Sequence, residues 1–357
     1  MAPALLLGIA IPLIFLYLVR TLDLYASGDF GVVVTCLLWG VAAFGLAYQV
    51  NTFVLRWITL GLLVTLVAPI SEEVLKSGIL VYHVRRTYFT YFVDGAIYGF
   101  AAGVGFAVLE TLSYVLMYGG DLGLSLLRSF STSLMHGSTS ALVGVVLGRF
   151  RFARGRTRVV ALVMGWGVAI LLHAGFNHVL NQPPGFAIQL LAVLIGLTGV
   201  LMTVAFIGWG LRQERQWLRT TLGLTVGVST GEAAVVQQLT DLDRLLAPVA
   251  ERFGAKKQQQ VAAFLRLQAR LGLKQKAQEL TPVAALRAQL AVEITDIHRE
   301  MDELRRAVGV YCMAYVRSIL PPTSEALWAQ LEGALAEPRT PTGNLWGTLS
   351  AKVKERS

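Results

Sequence analysis

Apolar positions dominate the first 210 residues of this 357-residue chain and fall into long blocks divided by short polar stretches. The blocks cover 3–19, 31–48, 52–82, 94–118, 131–149, 159–180 and 186–210, and a helix needs about 20 mostly apolar residues to cross a bilayer. Block 52–82 is longer than one span requires. Pro69 lies within it and lacks the N–H that a helix would use, so the block bends there or divides into a span and a separate short helix. Seven or eight spans follow. From about 211 the pattern changes. Segments such as Leu265-Arg266-Leu267-Gln268-Ala269-Arg270-Leu271 mix apolar and basic positions, and no run is long enough to span. The pattern predicts an all-α chain: a polytopic transmembrane helix bundle over 1–210, then a soluble helical domain over 211–357. In that second part Ser229 and Glu232 read as a capping box, and Gly254 reads as a break. Thr281-Pro282 reads as an N-cap followed by proline at the first helical position. Pro321-Pro322-Thr323-Ser324 separates a last helix, and the final dozen residues are expected to lack order.

Charge sharpens this picture. Only 15% of residues are charged and 55% are hydrophobic, against about 25% charged in soluble domains. The formal net charge of +9 would suit a nucleic-acid partner, but its placement argues for a lipid bilayer instead. Arg149, Arg151, Arg154, Arg156 and Arg158, then Arg212, Arg215 and Arg219, border apolar blocks in the positive-inside manner. The loops at 149–158, at Arg85-Arg86 and from Arg20 are then cytoplasmic, with the stretch after 210. The loops near 49–51, 119–130 and 181–185 face outside, with Arg56 and Arg128 as edge cations. Seven spans place the N-terminus outside and the C-terminus in the cytoplasm. The tail holds 20 Lys and Arg against 15 Asp and Glu, a mildly basic solvated surface whose partner is unknown. The first 19 residues lack a basic leader and a small-residue cleavage site and read as a retained span. Cys36 and Cys312 are too few and too far apart for a disulfide framework.

Four polar sites interrupt the apolar blocks: Glu72-Glu73-Val74-Leu75-Lys76, Glu110 four residues after Phe106, His136 with Ser140, and His173 with Asn177. Ionisable groups at membrane depth are costly and mark function by default. A spacing of four places two residues on one helix face, so the four helices can aim these groups at one pocket. Glu72 and Lys76 are expected to share a face, with Glu73 pointing elsewhere. Glu110 has no cation close by in sequence and must find a partner on another helix, or else a local hydrogen bond to Ser113 or Tyr114. Glu72 and Glu110 sharing a proton would hold and activate a water. A histidine and an amide on one face can donate to a developing oxyanion. Alternatively Glu72, Glu110, His136 and His173 hold zinc, although no H-E-x-x-H occurs. Ser138 and Ser140 lack a nucleophile-elbow context and read as polar packing. Asp94, His178 and His83 read as interfacial or loop-edge groups. Gly95, Gly99 and Gly103 form two successive G-x-x-x-G steps and read as a packing face that would hold Glu110 rigidly.

Taken in order, Glu-Glu-x-x-Lys, Phe-x-x-x-Glu, a membrane histidine and His-x-x-x-Asn resemble the signature of the PrsW family of bacterial intramembrane proteases. That family is related to the CAAX-processing and bacteriocin-processing membrane proteases, which carry Arg in the first motif and His in the second. The resemblance covers about residues 1–210; the 147-residue extension is not something the family implies. It implies an intramembrane endopeptidase of the bacterial plasma membrane acting on a membrane-protein substrate, in a site-1-type cleavage of an anti-sigma factor. Glu72 would be the water-activating base, Glu73 a supporting carboxylate and Glu110 the second water-binding group. His136 and His173 would orient water or act in catalysis, with Asn177 as oxyanion donor. The family has been described as metal-dependent and as glutamate-dependent; carboxylates outnumber nitrogen ligands here, which favours glutamate without a cofactor, with zinc as the alternative. A proton-coupled transporter and a non-enzymatic scaffold are the competing classes. A single span over 52–82 would put the acidic pair in its cytoplasmic half, awkward for cleavage near the outer face.

Overall fold

The computed structural model describes residues 1–23, 29–222 and 242–320, and among these every regular element is helical. The expected capping box at Ser229 and Glu232, the helix after Pro321 and the final dozen residues lie outside the described residues. Among the described residues six helices are long and apolar enough to cross a membrane: α1 (Ala2–Thr21), α2 (Phe30–Val54), α5 (Phe92–Met117), the pair α6 (Leu122–Phe130) and α7 (Thr132–Arg149), α8 (Arg156–Leu180) and α9 (Phe186–Leu222). Asp29 starts α2, its carboxylate accepting from the Gly31 N–H at 2.8 Å and so satisfying an orphan donor.

The block at 52–82 is not one span. α2 runs on to Val54, a turn covers 55–59, and Thr59 caps a new helix by accepting from the Leu62 N–H. That helix comprises α3 (Leu60–Leu62), a π-helical segment (Leu63–Val67) and α4 (Ala68–His83), joined without interruption. At about 1.5 Å per residue, 60–83 extends roughly 36 Å, enough for a further crossing. Pro69 does not end it. The Ala68 N–H reaches back five residues to the Leu63 carbonyl, and this widened turn accommodates the proline at the first turn of α4, where its fixed φ is tolerated.

α5 is the hub. Its residues from Phe92 to Ala107 are buried, and glycines let two neighbours reach its backbone. Gly95, Gly99 and Gly103 stand against the backbone of Gly144, Ser140 and His136 on α7; Gly105 and Gly40 do the same between α5 and α2. The G-x-x-x-G steps are therefore a packing face, as the sequence pattern indicates. Two indoles pin α4 beside this hub: Trp39 donates to the Leu75 carbonyl at 2.9 Å and Trp166 to the Ser77 hydroxyl at 2.7 Å.

The arginine-rich end is also tightly built. Arg151 is buried and donates to the carbonyls of Thr90 and Arg86, stapling the 84–91 loop, while burial pulls its guanidinium down to about 10. Asp94 is fully buried and accepts from the Thr90 N–H, so it belongs to this loop's internal structure and not to an interface. His83 is likewise buried at the end of α4, bonded to the Tyr88 hydroxyl at 2.6 Å. α9 continues past 210 and carries Leu218 into a second apolar core, formed with α10 (Leu242–Leu245), α11 (Ala247–Phe253), α12 (Ala255–Leu280), α13 (Ala284–Val308) and α14 (Val310–Ile319). Gly254 breaks the chain at φ +88° between α11 and α12. Thr281 closes α12 rather than opening the next helix, whose N-cap is Val283; Pro282 thus precedes α13 instead of starting it. Lys274 ties α12 to the bundle by donating to the Thr87 carbonyl at 3.1 Å.

Candidate functional site

Four helices bring the expected groups together. Glu72 and Glu73 come from α4, Glu110 from α5, His136 from α7 and His173 from α8. The two imidazoles meet edge to face at 4.7 Å between centroids. An inner layer is sealed: the side chains of Glu73 and Lys76 are fully buried, and His136 and His173 nearly so. An outer layer stays open, with 12% of the Glu72 side chain and 20% of the Glu110 side chain exposed.

Glu73 organises the inner layer. Its Oε1 accepts from Lys76 Nζ at 2.6 Å, from His173 Nδ1 at 2.8 Å and from Thr139 Oγ1 at 3.1 Å. The sequence expectation that Lys76 shares its face with Glu72 while Glu73 points elsewhere is therefore corrected: the ammonium turns to Glu73, three residues back, because Glu73 and not Glu72 faces the sealed interior. Lys76 also reaches His136 Nδ1 at 2.9 Å. An ammonium has donors only, so Nδ1 accepts, and a neutral ring then carries its proton on Nε2. That nitrogen lies 3.0 Å from Glu110 Oε2 and donates to it. Phe106 forms the floor, with Lys76 Nζ 5.0 Å and the His136 ring 5.1 Å from its centroid, which explains the aromatic four residues before Glu110.

Glu110 finds its cation on another element. Arg128 of α6 places Nη2 2.9 Å from Glu110 Oε2 and stacks its guanidinium over Tyr114, Cζ 3.9 Å from the ring centroid. Neither local alternative holds: Ser113 is spent on the Leu109 carbonyl, and Tyr114 serves as the stacking surface. Arg128 reads from sequence as an outward-facing edge cation, yet it is 8% exposed.

Glu72 is the least engaged carboxylate. Its contacts are Asn51 Nδ2 at 3.4 Å and His173 Nε2 at 3.7 Å. Asn51 is itself held by the Ser71 hydroxyl at 2.8 Å. No hydrogen bond joins Glu72 to Glu110 among the described residues. Asn51 and Thr139 escaped the sequence reading, which gave Arg128 a topological role only. Thr139 alone carried a local signal, three residues after His136 and so on its face.

Asn177 stands one turn beyond His173, with its amide engaged at 2.9 Å by the Val64 carbonyl. The π-helical register explains this contact. Val64 would accept from the residue five positions on, which is Pro69, and proline has no N–H. The amide satisfies that orphan. Asn177→Leu is expected to cost about 1–3 kcal/mol through the stranded carbonyl, seen as a lowered unfolding midpoint in detergent.

Depth follows from the helix bounds. Glu110 lies seven residues from Met117 and His173 seven from Leu180, each roughly 10 Å from the ends opposite the arginine-rich loops. Glu72 lies midway along 60–83. The acidic pair thus sits at the centre of its span and not well inside the half nearest Arg85, because the span begins at Leu60 rather than at 52.

Glu72, His136 and His173 each bring a ligand atom within 4.8 Å of the other two. His173 suits a cation well: Glu73 holds its Nδ1 and leaves Nε2 presented, the usual carboxylate-backed arrangement. His136 must first give up the Nε2 proton that it directs at Glu110. The donor types and closeness fit a divalent metal, and the absent H-E-x-x-H spacing is immaterial because the donors come from three helices.

Comparison with known proteins places the chain among others. The model of the PrsW family of intramembrane metalloproteases matches residues 29–209. Protease PrsW of Bacillus subtilis (strain 168) is 30% identical over 131 residues, which are 35% of this chain and 57% of that protein. The chain therefore spans little more than half the length of that relative. No solved structure matches it.

Proposed function

The chain belongs to the PrsW family of intramembrane proteases, and from that membership we propose that it is an endopeptidase that hydrolyses a peptide bond of a membrane protein at the Glu72–Glu110–His136–His173 cluster. The observation that carries this reading is the two-layered site, a sealed frame around Glu73 behind two partly open carboxylates. Glu72 is the base. It is the carboxylate with the fewest donors, so a water between it and His173 Nε2 can lose a proton to it. His173 is held in one tautomer by Glu73, and His136 by Lys76; both present a fixed nitrogen towards the opening. Glu110, paired to Arg128, supplies the second carboxylate beside the reacting bond.

A divalent cation would be held by Glu72, His136 and His173, and when bound would polarise the scissile carbonyl and acidify a water. The steps assigned to the side chains above are those of the metal-free site, because a Glu72 that ligates a cation is not free to take the proton of the water. The substrate class is a single-span protein cut near its outer end, consistent with a site-1 cleavage of an anti-sigma factor, because the cluster lies towards the helix ends opposite the arginine-rich loops. The C-terminus is then cytoplasmic and the helical tail lies against that inner face.

The test is cleavage of a fluorogenic single-span peptide by the purified full chain in detergent, with metal content measured in parallel by mass spectrometry. The wild-type chain is expected to cleave, and His173→Ala to lose cleavage by about 10²–10⁴-fold. Near-stoichiometric zinc in the wild type that His173→Ala lacks establishes the metal form. Full activity in His173→Ala would overturn the site.

A further inference from the structure

We propose that Arg128 is the catalytic residue that receives the scissile carbonyl oxygen as it gains charge, the role that the sequence resemblance gives to Asn177. The proposal rests on the peptidase reading above.

An oxyanion needs a buried donor held in place before the reaction. The donors around the cluster are nearly all committed. Asn177 serves Val64, Thr139 and His173 Nδ1 serve Glu73, and Lys76 is divided between Glu73 and His136. His136 Nε2 faces Glu110. Arg128 differs. Its Nε and Nη2 are buried and have no hydrogen-bond acceptor among the described residues. The 2.9 Å approach of Nη2 to Glu110 is a charge contact whose N–H directions miss the carboxylate. A buried donor without an acceptor is costly, and native structures retain few of them. The missing acceptor is the substrate.

The placement suits that task. Arg128 Nη2 lies 2.9 Å from Glu110 Oε2, that oxygen lies 3.0 Å from His136 Nε2, and His136 brings a ring nitrogen within 4.8 Å of a Glu72 oxygen, so the guanidinium borders the volume of the base. Stacking on Tyr114 fixes the plane of the fork, and Glu110 fixes its position. α6 delivers it as an independent short helix, set off from α7 by non-helical Ser131 at φ −111° and ψ −81°.

The chemistry balances. Water adds through oxygen to the scissile carbon, and its proton passes to Glu72. The carbonyl π pair moves onto oxygen, and the resulting charge faces Arg128. On collapse the C–N bond breaks with its pair going to nitrogen, which takes the proton from Glu72. The products are one acid and one amine.

Kinetics on the fluorogenic single-span peptide test the assignment. Arg128→Lys keeps a positive charge beside Glu110 but loses the fork. It is expected to lower kcat by about 10²-fold with KM and the pH profile little changed. Arg128→Ala is expected to fall further and to regain part of its rate with added guanidinium but not with ammonium. A wild-type kcat in Arg128→Lys, or a loss confined to KM, would overturn the assignment. Should the variants fail to insert, the unaltered chain carries the test. A peptide with a thioamide at the scissile bond, a poor acceptor, should be cut much more slowly, and equal rates would refute Arg128. If the wild-type chain cleaves no such peptide at all, the peptidase reading fails rather than this one.

Discussion

Glu72→Gln is expected to abolish cleavage while leaving a folded, inserted protein, with a rate loss of about 10²–10⁴-fold. The substitution keeps the shape of the side chain and removes its proton affinity. Little structure depends on its charge, since its contacts are an amide at 3.4 Å and an imidazole nitrogen at 3.7 Å. Its neighbour provides the contrast. Glu73→Gln would leave the Lys76 ammonium, fully buried, without its counter-ion, and breaking a buried pair costs about 3–5 kcal/mol. The two adjacent carboxylates should therefore fail in different assays: Glu72→Gln in peptide cleavage with an unchanged unfolding midpoint, Glu73→Gln in the midpoint itself. Metal content of Glu72→Gln separates loss of a proton acceptor from loss of a ligand. Unimpaired cleavage by Glu72→Gln would remove it from the role of base.

The same pair illustrates what could be read before any coordinates. Apolar runs marked the spans well because lipid demands length and little else. They failed at 52–59, where Phe53, Val54, Leu55 and Trp57 continue the apolar pattern straight through a turn, and only the cap at Thr59 signals the new helix. Glu72, Lys76, Glu110, His136 and His173 do lie close together, but their pairings differ from those the four-residue spacing suggests. Lys76 can reach either glutamate, and the choice depends on which face meets α7 and α8. Asn177 reads as a partner of His173 because they share a face; the Val64 carbonyl, left without a donor by Pro69 on a different helix, claims it instead. Arg128 was the hardest to foresee. Its partner lies eighteen residues away on another element, and a lone arginine at a span edge ordinarily reports topology.

Gly103→Val is expected to prevent stable folding and to remove all cleavage, and Gly103→Ala to separate packing from chemistry. A Cβ at Gly103 would stand well inside 3 Å of the His136 carbonyl oxygen, with the His136 carbonyl carbon and the Gly137 Cα close behind. All three are backbone atoms, so no side-chain rotation relieves the clash. In an open helix, replacing glycine by alanine gains about 1 kcal/mol. Gly45, which a Cβ would leave with nothing within 4 Å, should show that gain or no change. At Gly103 the helices must part instead, and overpacking of this kind costs about 1–3 kcal/mol, more where only backbone can move. The displaced element is the turn of α7 that carries His136, held within 2.9 Å of Lys76 and 3.0 Å of Glu110. Gly103→Ala should thus lose cleavage out of proportion to its loss of stability, measured as rate against unfolding midpoint in one detergent preparation. Equal, small effects at positions 45 and 103 would mean that α5 and α7 do not approach as closely as the glycine stripe requires, and His136 would then stand apart from the carboxylates it is meant to serve.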